Sequence, residues 1–136
     1  MIVVDTNVLI SALIKDSVTR RIIVQSDLTL MYPEHLLKEV GKYEDYILKK
    51  TRYTRKEYET MLNTLLDHLT LIPLEVIKPY LPRAKKIIGV VDVNDVAFVA
   101  AALAVNSSVW SDDSDFDKQR VVNVLKTKDV MNLVFK

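Results

Sequence analysis

The chain has 136 residues, of which 49% are hydrophobic and 27% charged, the composition of a globular protein long enough for one domain with a buried core. It contains no cysteine, two histidines and two glycines, which excludes disulfides, thiolate zinc sites, cysteine nucleophiles and a glycine-rich phosphate loop. The net charge of +1 does not indicate a partner, so the distribution of charge along the chain carries the information.

The first part of the chain predicts alternating strands and helices. Its opening residues are apolar and β-branched, which is typical of a buried strand, and this strand ends at Asp5. Apolar residues then recur at helical spacing, until Pro33 stops a second apolar run. The predicted elements are a strand at Ile2–Val4, a helix from about Val8, a helix at Val18–Gln25 and a strand at residues 28–32.

After Pro33 the pattern predicts a helical hairpin. Apolar residues share one stripe from Leu36 to Leu48, which predicts a single long helix. Thr54 and Glu57 have the spacing of a capping box, so a second helix begins there. The predicted hairpin therefore lies between the second and third predicted strands.

The second half of the chain completes an alternating pattern. Pro79 and Pro82 interrupt a helical stretch that Gly89 ends, and the helix that follows is apolar on almost every face. The predicted elements are a strand at residues 69–72, a broken helix at 76–88, a buried helix at 92–104, strands at 108–110 and 121–125, and a helix at 128–133. This alternation predicts a single domain over residues 1–136, a three-layer α/β/α sandwich around a parallel five-stranded sheet.

Acidic residues follow several of the predicted strands. Asp5 closes the first strand, and Asp112, Asp113 and Asp115 follow the fourth. Open parallel sheets bind ligands at the carboxyl ends of their strands, where the strand order reverses. If strands one and four are neighbours, these carboxylates meet at one edge.

Two helices bring further acids to the same edge. Asp92 and Asp95 lie three residues apart at the start of the buried helix, and Glu39 lies in the first turns of the helix after strand two. Each acid also has an ordinary structural interpretation, as a helix cap, a solvated helix residue or part of a polar loop. Their convergence favours a Mg²⁺ or Mn²⁺ site, because crowded carboxylates repel one another and hard oxygen ligands suit these ions.

Four motifs resemble those of the PIN-domain ribonucleases, in the same order and with similar spacing. Residues 4–9, 36–40, 92–102 and 110–116 are similar to the first, second, third and fourth acidic motifs of that family. The resemblance implies a Rossmann-like α/β/α fold with a helical-hairpin insertion and a metal-dependent nuclease site. Many members resemble VapC toxins, which cleave RNA and are held inactive by an antitoxin protein.

The resemblance also assigns roles to residues. It implies Asp5, Glu39, Asp95 and Asp113 as the catalytic acids, with Asp5, Asp95 and Asp113 as metal ligands. Because two aspartates stand side by side, Asp112 is the alternative to Asp113. The implied supporting residues are Thr6, Asn7, Asp92, Ser111, Asp112 and Asp115.

Two other functions fit part of the pattern. A phosphatase or phosphotransfer domain would use Asp5 as a nucleophile, but the second aspartate that such phosphatases carry two positions later is absent. A PIN-like module that binds RNA or a protein without cutting is the alternative to a nuclease. Metal-dependent RNA cleavage that is lost on Asp5→Asn distinguishes these functions.

A dense basic run lies where the two hairpin helices meet. We expect it to bind RNA, with arginines on phosphates and a tyrosine on an unpaired base. The residues are Lys49, Lys50, Arg52, Tyr53, Arg55 and Lys56. We also expect a homodimer and a cytoplasmic location. We expect no membrane contact, because the longest apolar run, Val96 to Val105, is too short to span a bilayer.

Overall fold

A computed structural model describes residues 1–89 and 93–135, with the side chains of residues 93 and 94 left undescribed. The described strands form one parallel sheet in the order β3-β2-β1-β4-β5. They are β1 (Ile2–Val4), β2 (Leu30–Pro33), β3 (Thr70–Ile72), β4 (Ser108–Trp110) and β5 (Val124–Leu125). The predicted five-stranded parallel sheet is therefore confirmed.

The central strand β1 determines where the sheet can bind a ligand. Its three apolar residues are buried, and it pairs with β2 on one side and with β4 on the other. Val4 is the register partner of Trp110, so the residues that follow them, Asp5 and Ser111, leave the sheet side by side. The strand order reverses between β1 and β4, which is the usual position of a ligand site in such a sheet.

Helices cover both faces of the sheet. They are α1 (Thr6–Ile14), α2 (Val18–Gln25), α3 (His35–Lys42), α4 (Glu44–Thr51), α5 (Arg55–Leu66), α6 (Leu74–Ile77), α7 (Leu81–Ile88), α8 (Val93–Val105) and α9 (Thr127–Val134). One layer contains α1, α2, α4, α5 and α9, and the other contains α6, α7 and α8, while α3 contacts both α1 and α8. In the part of the chain described, no helix has the length and apolar character needed to cross a membrane.

The predicted hairpin is present, but its first helix was predicted wrongly. The stripe from Leu36 to Leu48 belongs to two helices, α3 and α4, which meet at Tyr43 with φ −101° and ψ 6°. Gly41 weakens the end of α3, and two acids in the first turn of α4 favour a new helix start there. The capping box of Thr54 and Glu57 is present as predicted and opens α5.

Strand five is also shorter than predicted. The prediction covered residues 121–125, whereas β5 contains only Val124 and Leu125. The Gln119 side chain explains the difference, because it accepts a hydrogen bond from the Val122 N–H and donates one to the Val122 carbonyl. Those backbone groups are then occupied in a loop and cannot join the ladder. Strand two begins at Leu30 instead of residue 28 and includes Pro33, which is in register with Ile72.

Candidate functional site

The site begins with a hydrogen bond between the ends of β1 and β4. Ser111 Oγ donates to Asp5 Oδ2 over 2.7 Å, and Ser111 is fully buried while Asp5 is 5% exposed. The Asp113 backbone N–H donates to the same Ser111 Oγ over 3.0 Å. One serine hydroxyl thus fixes both the Asp5 carboxylate and the loop that carries Asp113.

Two further acids are buried on helices. Glu39 lies in α3 and Asp95 in the first turn of α8, and they are 5% and 8% exposed. Such burial is unusual, because a carboxylate loses its hydration when it is removed from water. Since α8 packs against β1, β2 and α3, Asp95 belongs to a helix that contacts the elements carrying Asp5 and Glu39.

The electrostatics of Asp5 indicate which acids share its surroundings. The pKa of Asp5 is raised from its ordinary value of 3.8 to about 6, chiefly because burial removes the carboxylate from water and in smaller part because the Asp113 and Glu39 carboxylates lie nearby. The hydrogen bonds from Ser111 and from the Thr6 backbone act in the opposite direction on this pKa. The structure therefore brings Asp5, Glu39 and Asp113 into one electrostatic neighbourhood.

Lys42 is a site residue that the sequence reasoning missed. Its Nζ lies 3.5 Å from Glu39 Oε2, one helical turn further along α3. The Lys42 side chain is largely exposed whereas the Glu39 side chain is buried, so Lys42 places a positive charge on the solvent side of Glu39. The spacing of three residues on one helix was the available signal.

Asp112 and Asp113 have different surroundings. The Asp112 carboxylate accepts hydrogen bonds from the backbone N–H and the hydroxyl of Thr127, at the start of α9. The same Thr127 hydroxyl accepts a bond from Trp110 Nε1 over 3.0 Å. Asp112 therefore ties the end of β4 to α9, whereas Asp113 faces the Asp5 neighbourhood.

The other predicted supporting residues fall into different places. Asp115 donates its N–H to Asp113 Oδ1 and pairs with Lys118 at 3.4 Å, so it stabilises the loop. Thr6 is buried, and its Oγ1 has no hydrogen-bond partner among the described groups. Asn7 is exposed on the first turn of α1. Asp92 lies outside the described residues.

Comparison with known proteins identifies the family. The model of the PIN domain family matches residues 3–134. This chain belongs to the PIN domain family. A chain in the crystal structure of VapBC2 from Rickettsia felis, bound to a DNA fragment from their promoter, has the same fold, with a TM-score of 0.70 and 17% sequence identity. The match covers 93% of this chain and 98% of that chain. No curated protein matches the sequence.

The residues of this PIN domain fit a hard divalent cation by their chemistry. Over residues 1–89 and 93–135, no three acidic or histidine side chains stand close enough together to hold a metal ion as they are. The donors at the Asp5 edge are nevertheless all oxygens, which Mg²⁺ and Mn²⁺ prefer. The unsatisfied hydroxyl of Thr6 and the desolvated carboxylate of Asp5 both favour an additional polar or cationic group there.

The predicted basic run of this PIN domain is divided between two surfaces. Tyr53 and Lys56 line a depression of about 400 Å³ along α5. Lys50 instead lines a groove of about 610 Å³ that also includes Asn7. Arg55 lies 3.8 Å from Glu44, and both Lys49 and Arg52 are exposed. The basic run therefore lies at the surface, and Lys50 is its member on the side of α1.

Proposed function

We propose that this PIN domain is a metal-dependent endoribonuclease that hydrolyses single-stranded RNA, as the toxin of a toxin–antitoxin pair in the cytoplasm. The convergence of Asp5, Glu39 and Asp113 at the edge between β1 and β4 carries the proposal. Buried acids of like charge destabilise a fold unless a cation or a proton offsets them. A divalent cation held by these acids would offset their charge.

Each residue has a part in the proposed mechanism. Asp5, Asp95 and Asp113 hold the cation, with Glu39 as the fourth acid of the site. When bound, Mg²⁺ or Mn²⁺ supplies an activated water and stabilises charge on the phosphate. Ser111 keeps the Asp5 carboxylate oriented through the 2.7 Å hydrogen bond. Lys42 offsets the charge of Glu39 and so lowers the repulsion that an approaching phosphate meets.

The proposal separates the two neighbouring aspartates. Asp113 is assigned to the site because its carboxylate acts on the pKa of Asp5. Asp112 is assigned to the structure because both of its oxygens accept hydrogen bonds from Thr127. Of the two aspartates that the sequence left open, the proposal therefore takes Asp113 as the site acid.

Cleavage of labelled single-stranded RNA tests the proposal. We expect cleavage with Mg²⁺ or Mn²⁺, inhibition by EDTA, and products with 5′-phosphate and 3′-hydroxyl ends, because water is the attacking group. Asp5→Asn and Asp113→Asn each lower the rate at least about a hundredfold, since loss of a group that only supports a metal ligand already costs 10- to 100-fold. Asp112→Asn is the matched control and retains most of the rate.

Other outcomes would point to different functions. Cyclic or 3′-phosphate ends would contradict the metal-activated water. RNA binding without cleavage under any metal would favour a non-catalytic module. Calorimetry gives a second test, because Mg²⁺ or Mn²⁺ binding at millimolar concentrations has to weaken in Asp5→Asn and Asp95→Asn. Binding that these variants leave unchanged contradicts the assigned ligands.

The basic run is proposed to contribute to RNA binding. Arg52 and Arg55 are exposed, and their guanidinium groups suit phosphate oxygens. We expect the double variant Arg52→Ala with Arg55→Ala to weaken RNA binding and to flatten its salt dependence, by about 0.7 unit of slope for each lost phosphate contact. Metal binding stays the same. Unchanged RNA binding at low and high salt would exclude these two arginines as phosphate contacts.

An antitoxin and a homodimer are proposed as partners. Support for the antitoxin comes from the shared fold with a chain of VapBC2, which is a complex bound to promoter DNA. We expect co-expression with a small DNA-binding protein encoded beside this chain to suppress RNA cleavage. Light scattering of the purified chain tests the dimer, and a monomer at all concentrations would contradict it.

A further inference from the structure

A groove between α1 and α4 borders two regions: the acidic edge, meaning Asp5, Glu39, Asp95 and Asp113, and the basic run of residues 49–56. One wall is a face of α1 on which Asn7 and Ser11 lie four residues apart, and Lys15 follows directly after the end of that helix. The opposite wall contains Tyr43, Tyr46 and Lys50 at the start and along one face of α4. Asn7 stands two residues after Asp5 and Lys50 belongs to the basic run, so the groove of about 610 Å³ connects the two regions.

The two tyrosines of this groove are unusually exposed. Tyr43 is 44% exposed and Tyr46 is 50% exposed, which makes them the most exposed of the six tyrosines in the chain. By contrast, Tyr32 and Tyr58 are buried in the core. Exposed aromatic rings close together on one face are typical of a surface that binds a ligand, because each ring offers a flat apolar area for stacking.

The charge of the groove favours an anionic occupant. Among the described residues that line it, two are lysines and none is acidic. Neither Lys15 nor Lys50 forms an ion pair within the described residues, whereas Lys42, Arg55, Lys118 and Lys126 each pair with a carboxylate. Two unpaired ammonium groups beside two exposed rings match the alternation of phosphates and unpaired bases in a single strand.

We propose that this groove is the channel in which single-stranded RNA lies as it reaches the acidic edge, with Tyr43 and Tyr46 stacking on unpaired bases and Lys15 and Lys50 contacting phosphates. The inference rests on the proposed nuclease function and adds the path of the substrate. From Asn7 to Ile14 the helical part of this wall is about 10 Å long, at 1.5 Å per residue, and Lys15 follows it. Base-paired RNA keeps its bases stacked inside the helix, so the groove would select unpaired segments.

Photochemical crosslinking locates the RNA directly. The probe is a single-stranded RNA with 4-thiouridine at alternate positions, bound to the Asp113→Asn variant in Mg²⁺ so that it is not cleaved. After near-ultraviolet irradiation and trypsin digestion, we expect the uridine adduct on the peptide of residues 43–49, which contains both groove tyrosines. Adducts confined to residues 53–55 would place the RNA at the hairpin tip alone and overturn the proposal.

Affinity measurements with matched controls provide a second readout. In the same background, we expect Tyr46→Leu to weaken binding about tenfold, whereas Tyr46→Phe retains it because the ring remains. Lys50→Ala lowers the salt slope by about 0.7 unit. Tyr80→Leu and Lys86→Ala are the controls, because these side chains are exposed in the other helical layer and leave both quantities unchanged.

The outcomes distinguish failure of the groove from failure of the nuclease. If the groove variants bind RNA like their parent while metal-dependent cleavage persists, the groove proposal is overturned and the proposed function stands. If the parent binds no single-stranded RNA even at low salt, both are overturned. If Tyr46→Leu changes only the oligomeric state or the affinity for a protein partner, the groove is a protein interface and the RNA channel is excluded.

Discussion

The acidic edge and the hairpin tip, which carries Arg52 and Arg55, are charged regions that differ in the sign of their charge and in their exposure to water. At the edge, Asp5, Glu39 and Asp95 are nearly excluded from water, whereas Arg52 and Arg55 at the tip are exposed. A buried charge has a high desolvation cost, so its retention needs a partner or a function, while an exposed charge costs almost nothing. Burial of the acids is therefore by itself evidence for a function at the edge. The exposed arginines of the tip give such evidence only together with the groove, which includes Lys50 of the same basic run.

The largest predicted effect concerns the charge of Asp5 in metal-free protein. Its pKa of about 6 in the folded state lies above the ordinary value of 3.8, so the folded state binds more protons between these pH values. The free energy of unfolding consequently decreases as pH rises from about 4 to above 6, by about 3 kcal/mol from this group. Urea titrations in EDTA at several pH values measure this change.

Asp5→Asn tests whether that pH dependence comes from Asp5. We expect the variant to lose most of the decrease and to exceed the wild type in stability at pH 8, because the amide carries no charge. Asp16→Asn is the control, since Asp16 is exposed and its removal leaves the pH dependence in place. Identical pH profiles for wild type and Asp5→Asn would contradict the destabilising charge at the edge.

Asp112 should behave as a structural residue although it adjoins the site. Asp112→Ala removes the acceptor of two Thr127 hydrogen bonds, so we expect a loss of about 1–2 kcal/mol in unfolding free energy. Thermal melting measures the loss. Of the two bonds to Asp112, Thr127→Val removes only that of the hydroxyl, so we expect the double variant to lose less than the sum of the two single losses. Fully additive losses would indicate that the two side chains act independently.

Lys42 gives a smaller effect that depends on metal. In EDTA, Lys42→Ala leaves Glu39 without its ion-pair partner, and we expect a loss of about 1 kcal/mol or less because the lysine is largely exposed. Saturating Mg²⁺ should remove the difference from wild type, because the cation then offsets the acid charge. A deficit that persists equally with and without Mg²⁺ would mean that Lys42 acts only through packing.

The smallest effect is expected at the hairpin tip. Arg52 has φ 62°, in the left-handed region that glycine adopts without strain. Arg52→Gly should therefore raise stability by about 0.5 kcal/mol, whereas Glu59→Gly, at an exposed position inside α5, should lower it by about 1 kcal/mol. Equal losses for both substitutions, measured by urea titration, would show that the Arg52 side chain itself stabilises the tip.

The sequence predicted the sheet well because strand and helix patterns alternate clearly. The apolar run before Asp5, the capping box at Thr54 and the C-cap at Gly89 each depend on local chemistry that a sequence displays directly. The break at Tyr43 and the shortening of β5 were missed, because the first depends on competing helix starts and the second on the Gln119 side chain.

The sequence indicated which residues belong to the candidate site, but it did not indicate most of the contacts that those residues make. The acids were recognisable from their positions after strands and at helix starts, and in the structure the Asp113 and Glu39 carboxylates both act on the pKa of Asp5. Their roles in a site stay predictions. The contacts that distinguish Asp112 from Asp113 come from side chains distant in the chain, such as Thr127 for Asp112, and a sequence does not display them. The sequence did not predict that Tyr43 and Tyr46 line one groove, because their exposure depends on how α4 packs against α1.

The bond between Ser111 and Asp5 joins residues that are 106 positions apart. During synthesis, β1 and β2 emerge before β4 and can pair, but the second neighbour of β1 is β4, which is made only after β3 and the helices that follow it. Long-range pairings of this kind form late because closing the intervening chain has an entropic cost. A nascent or prematurely ended chain that lacks β4 therefore carries Asp5 and Glu39 without the serine and aspartate that complete the edge. Synthesis of β4 and of the loop after it is then the event that brings Ser111 and Asp113 to Asp5.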